Sequence, residues 1–489
     1  MIGWDLRGGC TWLKRSPRRR MVPTWGRFIR WYRHHAGMTQ QEAAVVLRTT
    51  QSRLSKVESG SLVIGLDDLR FIVRKLGIPP ERMGILPDRS ADAISPAGAG
   101  HGSSGAALAS QQRWKAVRAA LNTNRAILGD LAAELYPQVH RIPGSTVLTR
   151  PDWMAAAPVE IGDIDLHWVA EQACQRPHIT GGIEQTESAR PLAADGTHYP
   201  RYSHALRDLA RPKLLDNRVS YRLLDVEWTT TGGRLGFGYT SYFENLDVSE
   251  AAAHEFTEAW LHAGRRRPSL AHLPLRRHIA DPFDLAARPA LPSINTLTIR
   301  RDPIDGHRMY LHQRDAKAVA AAGGMVHVVP AGTFQPAGLA PAHQANDFSL
   351  WRNIQREYSE EFLGNPEHDG NSVDPIDYEH DEPFRSFAAA REAGDFRVFA
   401  AAMVLEPLTL WVELLTIAVI EAPVFDRLFA DMVSVNEEGA AVSTEAGHPA
   451  TGIPFTSEAR ERLRSEPLSP IARACLEQAW QHRHLLLAR

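Results

Sequence analysis

Cysteine is nearly absent: Cys10, Cys174 and Cys475 are the only three in 489 residues. They are too few and too scattered for a disulfide scaffold or a CxxC zinc module, and they predict a reducing, cytoplasmic setting. Long apolar runs are missing as well. The richest, from Leu408 to Val424, is broken by Glu413 and Glu421 and never approaches the roughly 18 uncharged residues of a membrane span. Behind Arg7, Lys14 and Arg18 to Arg20 no apolar segment follows, so a signal peptide is not expected. The chain also lacks a HExxH pair, a GxxxxGK[ST] phosphate loop and any repeat of 20 to 50 residues. What it has is ordinary globular composition, 44% hydrophobic and 23% charged, with length for two to four domains of roughly 100 to 200 residues each.

A net charge of −2 conceals an asymmetry. Residues 1–85 carry 16 Lys and Arg against 6 Asp and Glu, leaving 39 against 51 for the rest. A basic end on an acidic body predicts a polyanionic partner for the end and little nonspecific attraction for the body. Met21 is an alternative start, and residues 21–85 alone still hold 10 basic against 5 acidic groups.

Between Thr24 and Leu76 the pattern predicts four short helices. Trp25, Phe28, Ile29 and Tyr32 make an apolar stripe ending at Gly37. Thr39 with Glu42 three residues later is a capping box for a second helix, with Ala43, Ala44 and Leu47 inward. Thr50 caps a third that presents Leu54 and Val57 inward and stops at Gly60, and Asp67 to Leu76 forms a fourth. Residues 91–110 are Ala, Gly, Ser or Pro at 16 of 20 positions and read as a flexible linker. A helix is then expected from Gln111 to about Leu135. Val219 to Trp228 and Leu235 to Phe243 predict a hairpin turning at Thr231, Gly232 and Gly233. Beyond Pro289, strands are expected at Thr296–Arg300, Arg308–His312, Met325–Val329 and Val398–Val404. Helices are expected at Ser349–Phe362 and Thr409–Ile420, with a last one capped by Ser469 and opened by Pro470.

A helix starting at Thr39, a tight connection near Arg48 and a second helix from Thr50 give the spacing of a DNA-reading helix pair, one helix across the backbone and the next in the major groove. In GMTQQEAA at 37–44, TTQSRLSKVESG at 49–60 and KLG at 75–77 the chain resembles the Xre/Cro family of helix-turn-helix regulators over about Trp25 to Gly77. The resemblance places Gln51, Ser52 and Lys56 where base-reading side chains stand, Gln40 at a phosphate, and Arg33 with Glu58 in a structural ion pair. The chemistry suits those places. Gln makes a bidentate contact to adenine, Lys reaches guanine O6 and N7, and Ser serves either. Arg53 is within reach of a base or a phosphate.

A second cluster lies at Glu357, Glu360 and Glu361. At about 100° per residue the three carboxylates share roughly a quarter of a helix circumference, so they repel unless the face is solvated or a cation lies between them. Three hard oxygen ligands suit Mg²⁺ or Mn²⁺ held with a substrate diphosphate. The segment REYSEEFLG, after GGMVHVVPAGTFQP at 323–336, resembles the Nudix box, which implies these three glutamates as metal ligands. The resemblance is broken by Phe348 and Ala342 where the box has Glu and Gly, and by Leu363 with Gly364 one place late. Glu367 to Glu382, with seven acids, His368 and His380, reads as a solvated loop near that helix.

The expected fold is multidomain: an all-α helix-turn-helix bundle at 21–85, a linker at 86–110, an α+β region at 111–290, a Nudix-like α/β/α domain at 291–435 and a helical segment at 436–489. The expected function is a cytoplasmic, sequence-specific regulator of transcription that binds double-stranded DNA as a homodimer under control of a small phosphorylated or nucleotide ligand. The alternative is a Mg-dependent hydrolase of nucleoside diphosphate derivatives to which the DNA-binding head is an accessory. No cofactor beyond Mg or Mn is implied, and no membrane partner.

Overall fold

The computed structural model describes residues 29–30, 33, 38–59, 62, 64–76, 78, 105–137, 139–170, 177–210, 212, 215–229, 231–314, 325–366, 374–433, 439–442 and 452–488. The predicted roles of Trp25, Phe28, Tyr32, Gly37 and Gly60, of Cys10 and Cys174, of 86–104, of Gly323 and Gly324 in the Nudix-box resemblance, and of Glu367 with His368 fall outside these residues. The chain divides into two compact units at about residue 88.

The first unit holds α1 (Gln40–Val46), α2 (Gln51–Ser59) and α3 (Leu66–Lys75), the first two started by their caps. The Thr39 hydroxyl accepts from the Glu42 amide at 3.2 Å while the Glu42 carboxylate accepts from the Thr39 amide at 2.8 Å, closing the predicted capping box. The Thr50 hydroxyl accepts from the Arg53 amide at 3.2 Å and starts α2. Between them the chain turns through Arg48 at φ 49°, the tight connection the spacing required. Ala43, Ala44, Leu47, Leu54, Val57, Leu69, Ile72 and Val73 form the core.

The second unit is an α+β body with mixed sheets. In chain order it contains α4 (Gly105–Ala133), β1 (Met154–Glu160), β2 (Ile164–Trp168), α5 (Tyr202–Leu209), β3 (Val219–Trp228), β4 (Gly233–Ser241) and α6 (Tyr242–His262). There follow β5 (Pro292–Arg301), β6 (Arg308–Met309), β7 (Leu311–Arg314), β8 (Val326–Val328), β9 (Ala331–Thr333), α7 (Leu350–Glu357), α8 (Phe384–Glu392), β10 (Phe396–Leu405) and β11 (Val412–Glu421). The last part of the body includes α9 (Ala422–Leu428), β12 (Gly439–Val442), β13 (Ile453–Pro454) and α10 (Pro470–Gln481).

Among the described residues the main sheet has seven strands in the order β1-β10-β11-β5-β6-β13, with β9 also on β5. β11 and β5 run parallel in unbroken register, and β10 and β1 add antiparallel. One face of this sheet, with Leu297, Ile299, Leu415 and Ile417, packs on Ile471, Cys475 and Ala479 of α10. The other, with Ile294, Val398, Leu414 and Ala418, packs on Tyr358, Phe362, Phe387 and Phe425 from the α7, α8 and α9 side. Two smaller sheets, β12-β7-β8 and β2-β4-β3, complete the strands. α4 lies along α6, burying Leu121 and Leu128 against Ala253 and Phe256. Arg118 and Arg125 of α4 close there on Glu250 of α6, whose carboxylate is fully buried.

Several expectations change. The segment Thr409–Ile420 is not a helix, and from Val412 onward it is strand β11. Its burial on both faces between two helix layers removes the alternation that marks a strand. Residues 105–110, expected in the linker, are the first turns of α4, where Ala is the best helix former. Tyr242 and Phe243, assigned to the hairpin, begin α6, capped by Ser241 and Glu244. The segment 436–489 holds β12 and β13 as well as helix. Ser469 and Pro470 open α10 as predicted.

Candidate nucleic-acid interface

On α2, Leu54, Val57 and Glu58 turn inward, which leaves Gln51, Ser52, Arg53 and Lys56 exposed on the opposite side. At about 100° per residue Gln51, Ser52 and Lys56 span some 140° of the helix, one continuous presenting face. Behind it lies a connected polar chain. Arg33 Nε and Nη2 donate to the two carboxylate oxygens of Glu58 at 2.5 and 3.0 Å, and both side chains are almost fully buried. Gln40 Nε2 donates to Glu58 Oε2 at 2.8 Å, and Gln51 Nε2 donates to Gln40 Oε1 at 2.8 Å. Charge-assisted bonds of this kind hold their partners firmly, so the amide of Gln51 is oriented from the buried ion pair outward. Arg33 Nη1 also donates to the Met38 carbonyl at 2.8 Å and ties the start of α1 to the same centre.

Arg53 turns sideways to Asp68 at 3.0 Å, with both side chains more than half exposed. Such a pair contributes little and gives way readily to a stronger anion. Glu42, fully exposed, is held below the usual carboxylate range by the Thr39 amide and hydroxyl. Sequence reasoning placed Gln40 and Gln51 in separate roles. Their direct hydrogen bond, which spans eleven positions of chain, had no signature in spacing alone.

Residues 25–83 match the family model of a helix-turn-helix domain. That match supports a DNA-binding function for this part of the chain. None of the curated proteins compared with the chain matches it. No helix among the described residues is long and apolar enough to cross a membrane.

The glutamate face in the body is arranged differently from the helical-wheel expectation. α7 passes at Tyr358 into a π-turn through Phe362, a wider turn than the helical wheel assumes. Glu361 is buried, accepts from the Ala331 amide at 2.9 Å and lies 3.6 Å from His312 Nδ1. Glu357 accepts from Asn353 Nδ2 at 3.0 Å and covers Gly332, where a Cβ would fall 1.9 Å from its carboxylate oxygen. Glu360 is half-buried. Among the described residues no three His, Cys, Asp or Glu side chains converge as metal ligands. Asp377 and His380 of the acidic loop pair with each other at 3.0 Å on the surface.

Proposed function

We propose that this chain is a sequence-specific DNA-binding transcriptional regulator of the Xre/Cro type, in which α2 enters the major groove. The observation that carries the reading is the exposed trio Gln51, Ser52 and Lys56 backed by the Gln51–Gln40–Glu58–Arg33 chain. An amide, a hydroxyl and an ammonium on one rigid face match the donor and acceptor pattern of base edges. Gln40, at the start of α1, and Arg53, once released from Asp68, serve the phosphates. A single short bundle makes few contacts, so two heads on half-sites about 34 Å apart are required for tight binding, and the chain acts as a homodimer.

The body, in this reading, takes up a small phosphorylated or nucleotide ligand in a Nudix-like domain and alters how the heads are presented. Support comes from the parallel β5–β11 pair between two helix layers and from Gly332 packed under Glu357. The carboxylates of Glu357 and Glu361 are already engaged by protein donors. As arranged they do not fit a three-glutamate Mg²⁺ or Mn²⁺ site, and the hydrolase alternative would need them to rotate onto one ion. Selection of bound duplexes from a random pool by the full chain tests the main reading. Enrichment of a two-half-site motif supports it, and an unenriched pool refutes it.

A further inference from the structure

A cavity of about 720 Å³ opens in the body between the first turns of α4, the segment 184–198 and α6. That volume lies in the range of small-molecule sites. Its inner wall is aromatic and fixed. Trp114 stacks on His254 with ring centroids 5.5 Å apart, and its indole N–H donates to the Ala189 carbonyl at 3.1 Å. Burial, reinforced by the Arg118 charge, pushes the His254 imidazole down to about 3, so this wall is uncharged at neutral pH. The rim carries both signs: exposed Arg113 on α4, exposed Glu184, exposed Glu187 with His198 Nε2 3.6 Å from its carboxylate, and half-buried Glu258 on α6 with His262 Nε2 3.9 Å away. Arg190, also in the lining, directs Nε to the Thr186 carbonyl at 3.2 Å and Nη1 to the Tyr199 carbonyl.

We infer that this cavity binds a zwitterionic amine-carboxylate, a free amino acid or dipeptide. Its ammonium group would sit among Glu184, Glu187 and Glu258, its carboxylate on Arg113, and its side chain on Trp114 and Leu192. A phosphate ester would meet the carboxylates of Glu184, Glu187 and Glu258 against Arg113 and His198, which disfavours it. A plain amine would leave Arg113 facing like charge. The cavity is also placed to report occupancy. Ser110 Oγ accepts from the Leu192 amide at 3.0 Å and Gln111 Nε2 donates to the Leu192 carbonyl at 2.9 Å, so the wall and the start of α4 move together. α4 begins at Gly105, directly after the Gly- and Ser-rich stretch that leads from the helix-turn-helix. A ligand that stiffens this junction changes DNA affinity, a consequence that rests on the DNA-binding reading above, whereas binding itself does not.

Isothermal titration of the full chain with the free L-amino acids and a set of dipeptides tests the inference. The expected result is saturable binding of at least one zwitterion, weakened about ten-fold or more by amidating its carboxylate or acetylating its amine. Arg113→Ala and Glu258→Gln should each weaken it similarly while leaving the melting temperature of the unliganded protein unchanged. Glu184→Gln, fully at the surface, serves as a third variant if Glu258→Gln perturbs folding. The inference is overturned if no amino acid or dipeptide binds, if the blocked derivatives bind as well as the parent, or if the substitutions leave affinity unchanged. Binding without any change in DNA affinity would leave the site standing and count against the DNA-coupled reading alone.

Discussion

Removing Glu58 isolates a buried charge at the centre of the DNA-binding head. The Arg33 and Glu58 side chains retain only 5% and 2% of their exposure, so Glu58→Ala removes the carboxylate that neutralises a buried guanidinium. Breaking one side of such a pair costs about 3 to 5 kcal/mol. A module of about 60 residues has a total stability of only about 3 to 9 kcal/mol, so the loss is comparable to the whole. The melting transition of the head should fall by more than about 10 °C, since 1 kcal/mol shifts a domain of this size by roughly 4 to 8 °C. Hydrogen exchange read by mass spectrometry resolves the effect by segment. Protection should be lost across α1, α2 and α3 and kept in β5 and β11 of the body. The double variant Arg33→Met/Glu58→Leu replaces the pair with apolar groups and should regain most of the stability, because desolvation opposes the pair in the native protein. It should still bind DNA less selectively, since Gln40 and Gln51 lose their anchor. The reasoning is refuted if Glu58→Ala keeps its protection in the three helices, or if the double variant is no more stable than the single one.

Three further outcomes follow from the geometry. His254 is held neutral in the folded body at about 3, against 6.5 when unfolded, because of burial and then Arg118. The unfolded chain therefore takes up this proton first, so stability is full above about pH 6.5 and falls as pH drops toward 3, by at most about 1.4 kcal/mol per pH unit. Urea midpoints of the body's tryptophan fluorescence at pH 7.5 and 5.0 should show that slope, and His254→Asn should flatten it. Gly181 sits at φ 65° with a Cβ position 2.5 Å from the Asp247 main-chain oxygen, so Gly181→Ala should cost more than about 2 kcal/mol in denaturation experiments. Gly264→Ala, at the same φ but with open space around it, should cost only about 1 kcal/mol. Thr39→Ala removes the cap of α1 and should lower the stability of the head by about 1 kcal/mol, measured by its thermal midpoint.

Local chemistry was legible wherever it is self-contained. Thr39 with Glu42 and Ser469 with Pro470 announce their helices, because a cap needs only residues a turn apart. The β3–β4 hairpin was readable from its strand formers and its Gly turn. Tertiary context defeated the reading elsewhere. β11 is buried on both faces, so its apolar run looked helical, although Val412, Thr416, Ile417, Val419 and Ile420 are the β-branched residues that favour a strand. α6 went unread although Ser241 and Glu244 form its capping box, since the aromatic Tyr242 and Phe243 prolonged the preceding strand pattern. At the candidate interface the presenting residues are visible in the sequence. The Gln51–Gln40 bond and the cavity beside Trp114 are not, because each joins segments far apart in the chain.

The base-reading role of α2 is tested most directly by Gln51→Ala. Its affinity, and that of the parent chain, should be measured at fixed salt on a selected duplex and on every single-base variant of it. The account predicts that the substitution loses roughly 1 to 3 kcal/mol of discrimination at one base position in each half-site and leaves the other positions unchanged. A uniform fall in affinity across all the duplexes, or no fall at all, would contradict it.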